Sequence, residues 1–303
     1  MQNTIRLDAQ RISDESKGMW LGLAGVAIFS LTLPFTRMAV AELDPVFVAL
    51  GRALVAAVLA GAWLWWNKTP LPHASQLGSL AVVSFGCVVG FPLFTSIALQ
   101  TVPASHGAVL VGILPLATAL FAALRGHERP SFGFWVMASF GSAIVVGFAL
   151  RQGGGVFHLA DVAIFAAVLL AALGYAEGGR LAQRMGGQQV ICWALVLSAP
   201  LLLPVVLWLG WSHTDAIAAA GLRAWLGFAY VSLFSMFIGF FFWYKGLALG
   251  GIARVGQVQL LQPFLTLLGA AVLLGESLQL ANILFALVII AVVALGRRMA
   301  IRR

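Results

Sequence analysis

Charge is what this chain of 303 residues has least of: only 9% of it is Asp, Glu, Lys or Arg, while 61% is hydrophobic. A soluble domain carries about 25% charged residues. No water-facing shell can be assembled from so few, so lipid must cover most of the surface. Strict alternation of apolar and polar residues is missing too. The apolar runs are apolar all round, which excludes a transmembrane β-barrel. There are two cysteines, Cys87 and Cys192, each inside an apolar run, so neither a disulfide framework nor a metal centre is indicated. No GxxxxGK[ST] loop occurs, which argues against ATP-driven work by this chain alone. Metal-ligand spacings and a Ser-His-Asp set are also lacking. Four of the five histidines (His73, His127, His158 and His213) fall in predicted loops as interfacial residues. No cofactor, no metal and no enzymatic activity are expected.

What is present is apolar length. Runs able to cross a bilayer, about 20 residues each, fall at 18–39, 46–66, 76–99, 105–124, 132–150, 161–181, 189–211, 224–246, 255–274 and 280–296. The fold class expected is all-α: a polytopic membrane protein with ten transmembrane helices. Residues 1–17 mix Arg6, Arg11 and Lys17 with Asp8, Asp14 and Glu15. They read as a cytoplasmic tail before an uncleaved first span, and 297–303 as a basic cytoplasmic tail. The net charge of +8 does not indicate a nucleic-acid partner, because the basic residues sit between the apolar runs, where they set orientation. With the N-terminus in the cytoplasm, fourteen of the eighteen Lys and Arg lie on the cytoplasmic side. Both termini are therefore expected there, in a bacterial inner membrane.

The chain also repeats itself. Leu247 to Glu276 has a twin at Ile97 to Glu128. With Pro115 set against Pro263, Thr118 meets Thr266, and Glu128 meets Glu276 thirteen residues past the proline. Ten spans then divide into repeats at 18–150 and 161–296. Five spans per repeat is odd, so the second copy enters the membrane from the opposite side. Two inverted five-helix repeats around a central cavity are the arrangement of secondary transporters. A small-molecule substrate, the bilayer and a monomeric state are the partners and assembly this implies.

Polar groups at membrane depth are costly and mark either structural pairs or a cavity. Gln259, Gln262, Pro263 and Thr266 share one helical face, and the equivalent face of the earlier copy carries Leu114, Pro115 and Thr118. They are expected to line a cavity; helix-tying hydrogen bonds are the alternative. Tyr230 and Phe241 belong to an aromatic stripe that serves either packing or ligand contact. Gly86 and Gly90 form a GxxxG pattern just before Phe91-Pro92, suited to close packing beside a deformable point. Arg52 lies within the second run. Glu177 lies in the sixth, beside Tyr175 and three residues before Arg180. Arg52 is a candidate anchor for a carboxylate. Glu177 is a candidate proton or amine site, or else simply the partner of Arg180.

The stretch Phe29-Ser-Leu-Thr-Leu-Pro-Phe-Thr-Arg37, then Asp44-Pro45 and Arg52, the proline–glutamate block in both halves, and Trp243-Tyr-Lys-Gly-Leu247 together resemble the drug/metabolite transporter superfamily, EamA type. Within it the chain is similar to the YddG-type exporters. That resemblance implies export of aromatic and other amino acids through the inner membrane with broad specificity. It also implies a central cavity lined by spans 3, 4, 8 and 9 and flanked by 1 and 6. Two positions depart from the pattern: Thr32 stands where many members carry Asn, and Phe29 where Trp is usual. An exporter of apolar cations on the same fold is the rival reading, and an intramembrane enzyme is disfavoured.

Overall fold

The computed structural model describes residues 2–125, 129–153 and 159–275, followed by 280, 284, 287, 288, 291, 292, 295, 301 and 302. Of the span expected at 280–296, seven residues are described, each helical, and the rest lies outside the described residues. So do the paired glutamates Glu128 and Glu276. What is described is helical apart from one two-residue strand pair. In chain order the helices are α1 (Ser13–Val40), α2 (Pro45–Trp66), α3 (Ala74–Ala98), α4 (Ala104–Val111), α5 (Leu114–Arg125), α6 (Phe132–Gly153), α7 (Leu159–Met185), α8 (Gly187–Ser212), α9 (Leu222–Gly250) and α10 (Ile252–Leu274). Among the described residues, seven helices are long and apolar enough to cross a membrane: α1, α2, α3, α7, α8, α9 and α10. The run expected at 105–124 is helical in two pieces, α4 and α5.

Local chemistry sets the ends. Asp44 caps α2 by accepting the Phe47 amide at 2.8 Å, with Pro45 at the first helical position, where its missing N–H costs nothing. Single glycines turn α7 into α8 and α9 into α10: Gly186 has φ 91° and Gly251 φ 92°. A side chain in that backbone region is strained, so each corner requires glycine.

Three of the helical breaks sit at prolines, while Pro200 and Pro204 are accommodated inside α8. Pro263 has no N–H to offer the carbonyl one turn earlier, and the chain before it, Gln257–Leu261, tightens to three residues per turn. The Gln262 amide then bonds the Gln259 carbonyl. Pro115 does the same between α4 and α5, where the Ile113 amide reaches Leu110 at 3.1 Å. In α1, Pro34 follows a turn at Leu31, whose amide bonds Ile28 at 3.3 Å. Two further stretches widen instead to i→i+5 turns: Ser84–Gly90 in α3 and Val231–Ile238 in α9. These two start within one residue of the same distance upstream of Pro115 and Pro263. The irregularities therefore recur in the same order in both halves of the chain.

Packing runs between the halves. α1 lies along the second part of α9, α2 along α8, and α3 and α5 against α7. Small residues allow this closeness. A Cβ on Gly18 would stand 2.4 Å from the Gly250 backbone nitrogen, and one on Gly246 would stand 2.9 Å from that of Gly22. The Gly86–Gly90 pattern works likewise, since a Cβ on Gly86 would meet the Leu170 carbonyl at 2.4 Å. Finally, β1 (Arg129–Pro130) pairs antiparallel with β2 (Ile301–Arg302), which holds the chain's last residues beside the loop after α5.

Candidate functional site

All of these irregular segments but the one at Pro115 contribute to one place. A cleft of about 330 Å3 lies where α1, α2, α3, α7, α9 and α10 meet. The centre of a water molecule can move through only about 20 Å3 of it, so the cleft is narrow in this conformation.

Its polar floor begins at Arg52, whose side chain is only 2% exposed. The close fit of α2 to the widened segment of α9 buries this guanidinium, and its Nη2 donates to Ser235 Oγ at 2.8 Å. Ser235 Oγ in turn lies 2.8 Å from Thr32 Oγ1, on the segment of α1 just before Pro34. Arg52 Nε and Nη1 are buried and have no partner. Opposite, Gln262 Oε1 is likewise buried without a partner. The site therefore presents guanidinium donors and one amide acceptor at a narrow cleft. A buried cation lacking a counter-charge is unfavourable by several kcal/mol, and an anion supplied from outside would relieve it.

The walls are aromatic. Phe29, Phe91, Tyr175 and Phe240 line the cleft, with Cys87 and Ala171 between them. Phe29 meets Phe240 edge-on at 5.1 Å and stacks on Tyr175 at 6.4 Å. Tyr244 closes the base by donating to the Gly174 carbonyl at 3.2 Å and contacting Cys87 Sγ at 3.4 Å.

Of the residues singled out from sequence, Arg52, Phe91, Tyr175 and Gln262 meet in the cleft. Gln259, Pro263 and Thr266 are buried on α10, outside the lining. Leu114, Pro115 and Thr118 are buried on α5, where Thr118 would meet a Cβ on Gly256 at 3.5 Å. Phe241 turns away to Trp63, 5.5 Å between rings, and its neighbour Phe240 takes the wall. The wide turn at Val231–Ile238 adds a residue and rotates the stripe. Tyr230 accordingly stacks on Phe35 at 4.1 Å and donates to the Ile28 carbonyl at 2.9 Å, away from the cleft. Sequence reading did not select Ser235, Cys87, Ala171 and Phe240. The signal for Ser235 was there, in a run of small residues interrupting an aromatic stripe.

Glu177 stands apart from the cleft. It accepts from Ser79 at 2.5 Å and from Arg180, with Arg125 at 3.4 Å. This cluster fastens one end of α7 to α3 and α5. The other end of α7 is fastened to α4, where His106 Nε2 lies 2.5 Å from Asp161 Oδ1. That contact was not anticipated, because neither residue lies in a recognisable pattern. Among the described residues no group of His, Cys, Asp or Glu is arranged to hold a metal.

An all-helical membrane bundle whose halves meet around a narrow, partly polar cleft is the architecture of a small-molecule transporter. Comparison with known proteins agrees. The chain belongs to the EamA-like transporter family, whose model matches residues 16–150 and 158–296. It is 51% identical over 282 residues to the "Uncharacterized transporter YdeK" of Bacillus subtilis, covering 93% of this chain and 97% of that one. A "Probable terminal-alkyne amino-acid exporter" of Streptantibioticus cattleyicolor is 25% identical over 293 residues, covering 95% and 96%. A solved crystal structure of another protein matches with a TM-score of 0.71 over 93% of this chain and 96% of the other, at 18% identity.

Proposed function

We propose that this protein is a secondary transporter that exports amino acids and related carboxylate-bearing metabolites across the bacterial inner membrane. Its two five-helix repeats are inverted, and the cleft opens to one side and then the other as the helices flex at their proline breaks and widened turns. Both termini face the cytoplasm, and the pairing of Ile301–Arg302 with Arg129–Pro130 supports a common side for the C-terminus and the Arg125 loop. A monomer is sufficient, since the cleft is built within one chain.

The observation that carries this reading is Arg52, buried at the cleft with Nε and Nη1 unpartnered. Planar guanidinium and planar carboxylate match as a two-point pair. The surrounding rings suit an apolar side chain. A relative named as an amino-acid exporter supports the same substrate class. The rival reading, export of apolar cations, would bring like charges together around Arg52.

Counterflow of labelled phenylalanine in liposomes tests the proposal. Losing a charge-assisted hydrogen-bond pair costs about 1.5–3 kcal/mol. Arg52→Gln is therefore expected to raise the half-saturation concentration roughly ten- to hundredfold. Arg52→Lys, which keeps the charge but not the fork, should lie between. Unchanged affinity in a folded Arg52→Gln protein would sink the proposal.

A further inference from the structure

The cleft is not balanced for a zwitterion. Arg52 is the one charged residue among its lining residues, and no carboxylate stands with it. The two nearest acidic groups on α7 are both committed elsewhere. Glu177, two residues past Tyr175, is taken by Ser79, Arg180 and Arg125. Asp161 is held by His106 at the helix's far end, roughly 20 Å from Tyr175 at the rise of an α-helix. A substrate carboxylate therefore finds guanidinium donors, whereas a substrate ammonium finds one unpartnered amide oxygen, Gln262 Oε1, and the hydroxyl oxygens of Thr32, Ser235 and Tyr175, but no carboxylate. An ammonium carries three N–H donors and its own charge into a space that already holds a cation. The faces of Phe29, Tyr175 and Phe240 offset only part of that. A hydroxyl in the same place needs one acceptor, which Gln262 provides.

Building on the Arg52–carboxylate reading, we infer that the preferred substrates carry a net charge of −1. They are apolar monocarboxylates whose 2-position holds one uncharged donor, a hydroxyl or an acylated nitrogen, in preference to the free amino acids of the same side chain. Binding such an anion neutralises Arg52 and leaves the cleft with no net charge. Binding the zwitterion leaves it at +1. The same logic turns away amines that lack a carboxylate.

The test compares 3-phenyllactate, phenylpyruvate, phenylalanine and phenethylamine on the purified full-length protein. It uses counterflow in liposomes, and protection against heat in detergent as a readout independent of transport. Phenyllactate differs from phenylalanine only by hydroxyl for ammonium. It is expected to half-saturate at a concentration on the order of tenfold lower, the scale of an unmet hydrogen bond to a charged group. Phenylpyruvate carries the same charge but no donor for Gln262 Oε1, so it should fall between phenyllactate and phenylalanine, and phenethylamine should neither exchange nor protect. Phenylalanine matching or beating phenyllactate would overturn the charge preference and leave Arg52 as the carboxylate anchor. If none of the three carboxylates exchanges or protects, the anchor itself is wrong and the proposed function falls with it. Exchange of phenethylamine would favour the cation reading and overturn both.

Discussion

Phe240 and Phe241 are chemically identical neighbours with different surroundings, and the difference comes from backbone geometry alone. Phe240 stands 5.1 Å from Phe29 and 6.1 Å from Tyr175 at the cleft, while Phe241 packs 4.6 Å from Phe237 and 5.5 Å from Trp63. Leucine at either position keeps apolar volume and removes the ring. Phe240→Leu is expected to raise the half-saturation concentration for an aromatic substrate by about tenfold, the upper end of a ring–ring contact. Phe241→Leu should leave it within about twofold. Parallel saturation curves on the two variants decide the matter, and equal effects would refute the assignment. These positions also show what residue-level reading can reach. Arg52 and Gln262 were legible because a charge or an amide inside an apolar run is conspicuous. Phe240 was not, because a regular 3.6-residue period places Tyr230, Phe237, Phe241 and Tyr244 on one face. A single wide turn at Val231–Ile238 breaks that period without changing composition. Thr32 was quoted only for its departure from a family pattern, although its hydroxyl sits 2.8 Å from Ser235.

At the scale of the element, proline breaks place Thr32 and Gln262 at the cleft, and a wide turn places Ser235 there. Pro263 sits just after Gln262, where tight turns give way to regular helix. Pro263→Ala restores an N–H that can bond the carbonyl one turn earlier and straighten α10. The variant is expected to melt at the same temperature or higher than the unaltered protein, and to transport at least several-fold more slowly. Thermal melting in detergent and initial counterflow rates check the two halves of this expectation. Faster transport, or a large loss of stability, would show that the break is not a flexing point. Prolines are visible in a sequence, so these breaks were readable from Pro115 and Pro263. The wide turns at Ser84–Gly90 and Val231–Ile238 carry no such marker. Glycine and serine occur there, but they also occur where helices merely pack closely, as at Gly18 and Gly22.

For the whole molecule, the governing fact is that the halves are interleaved. α1 rests on α9, α2 on α8, and α3 and α5 on α7, so a helix finds much of its contact in the opposite half. Expressed separately, residues 1–156 and 157–303 are each expected to be degraded or to aggregate. Expressed together, they should co-purify and restore counterflow. A stable, monodisperse first half alone would contradict the packing described here. The all-helical class was readable from composition, since nothing else buries so few charges in lipid. The partnering of helices was not, because apolar faces in a membrane do not announce which apolar face they meet.

Interleaving also sets a timetable for the chain during synthesis. When residue 153 leaves the ribosome, the surfaces of α1, α2 and α3 that belong to α9, α8 and α7 have nothing yet to touch. At a translation rate of about 5–20 residues per second, the rest of the chain takes roughly ten to thirty seconds to follow. For about the first half of that interval Arg52 lacks the Ser235 hydroxyl that later receives it. The newborn first half is thus an orphan awaiting its sibling, open to membrane proteases and to mispairing with other nascent chains. Codon choice or ribosome pausing after residue 153 would therefore bear on yield far more than the same change near the C-terminus.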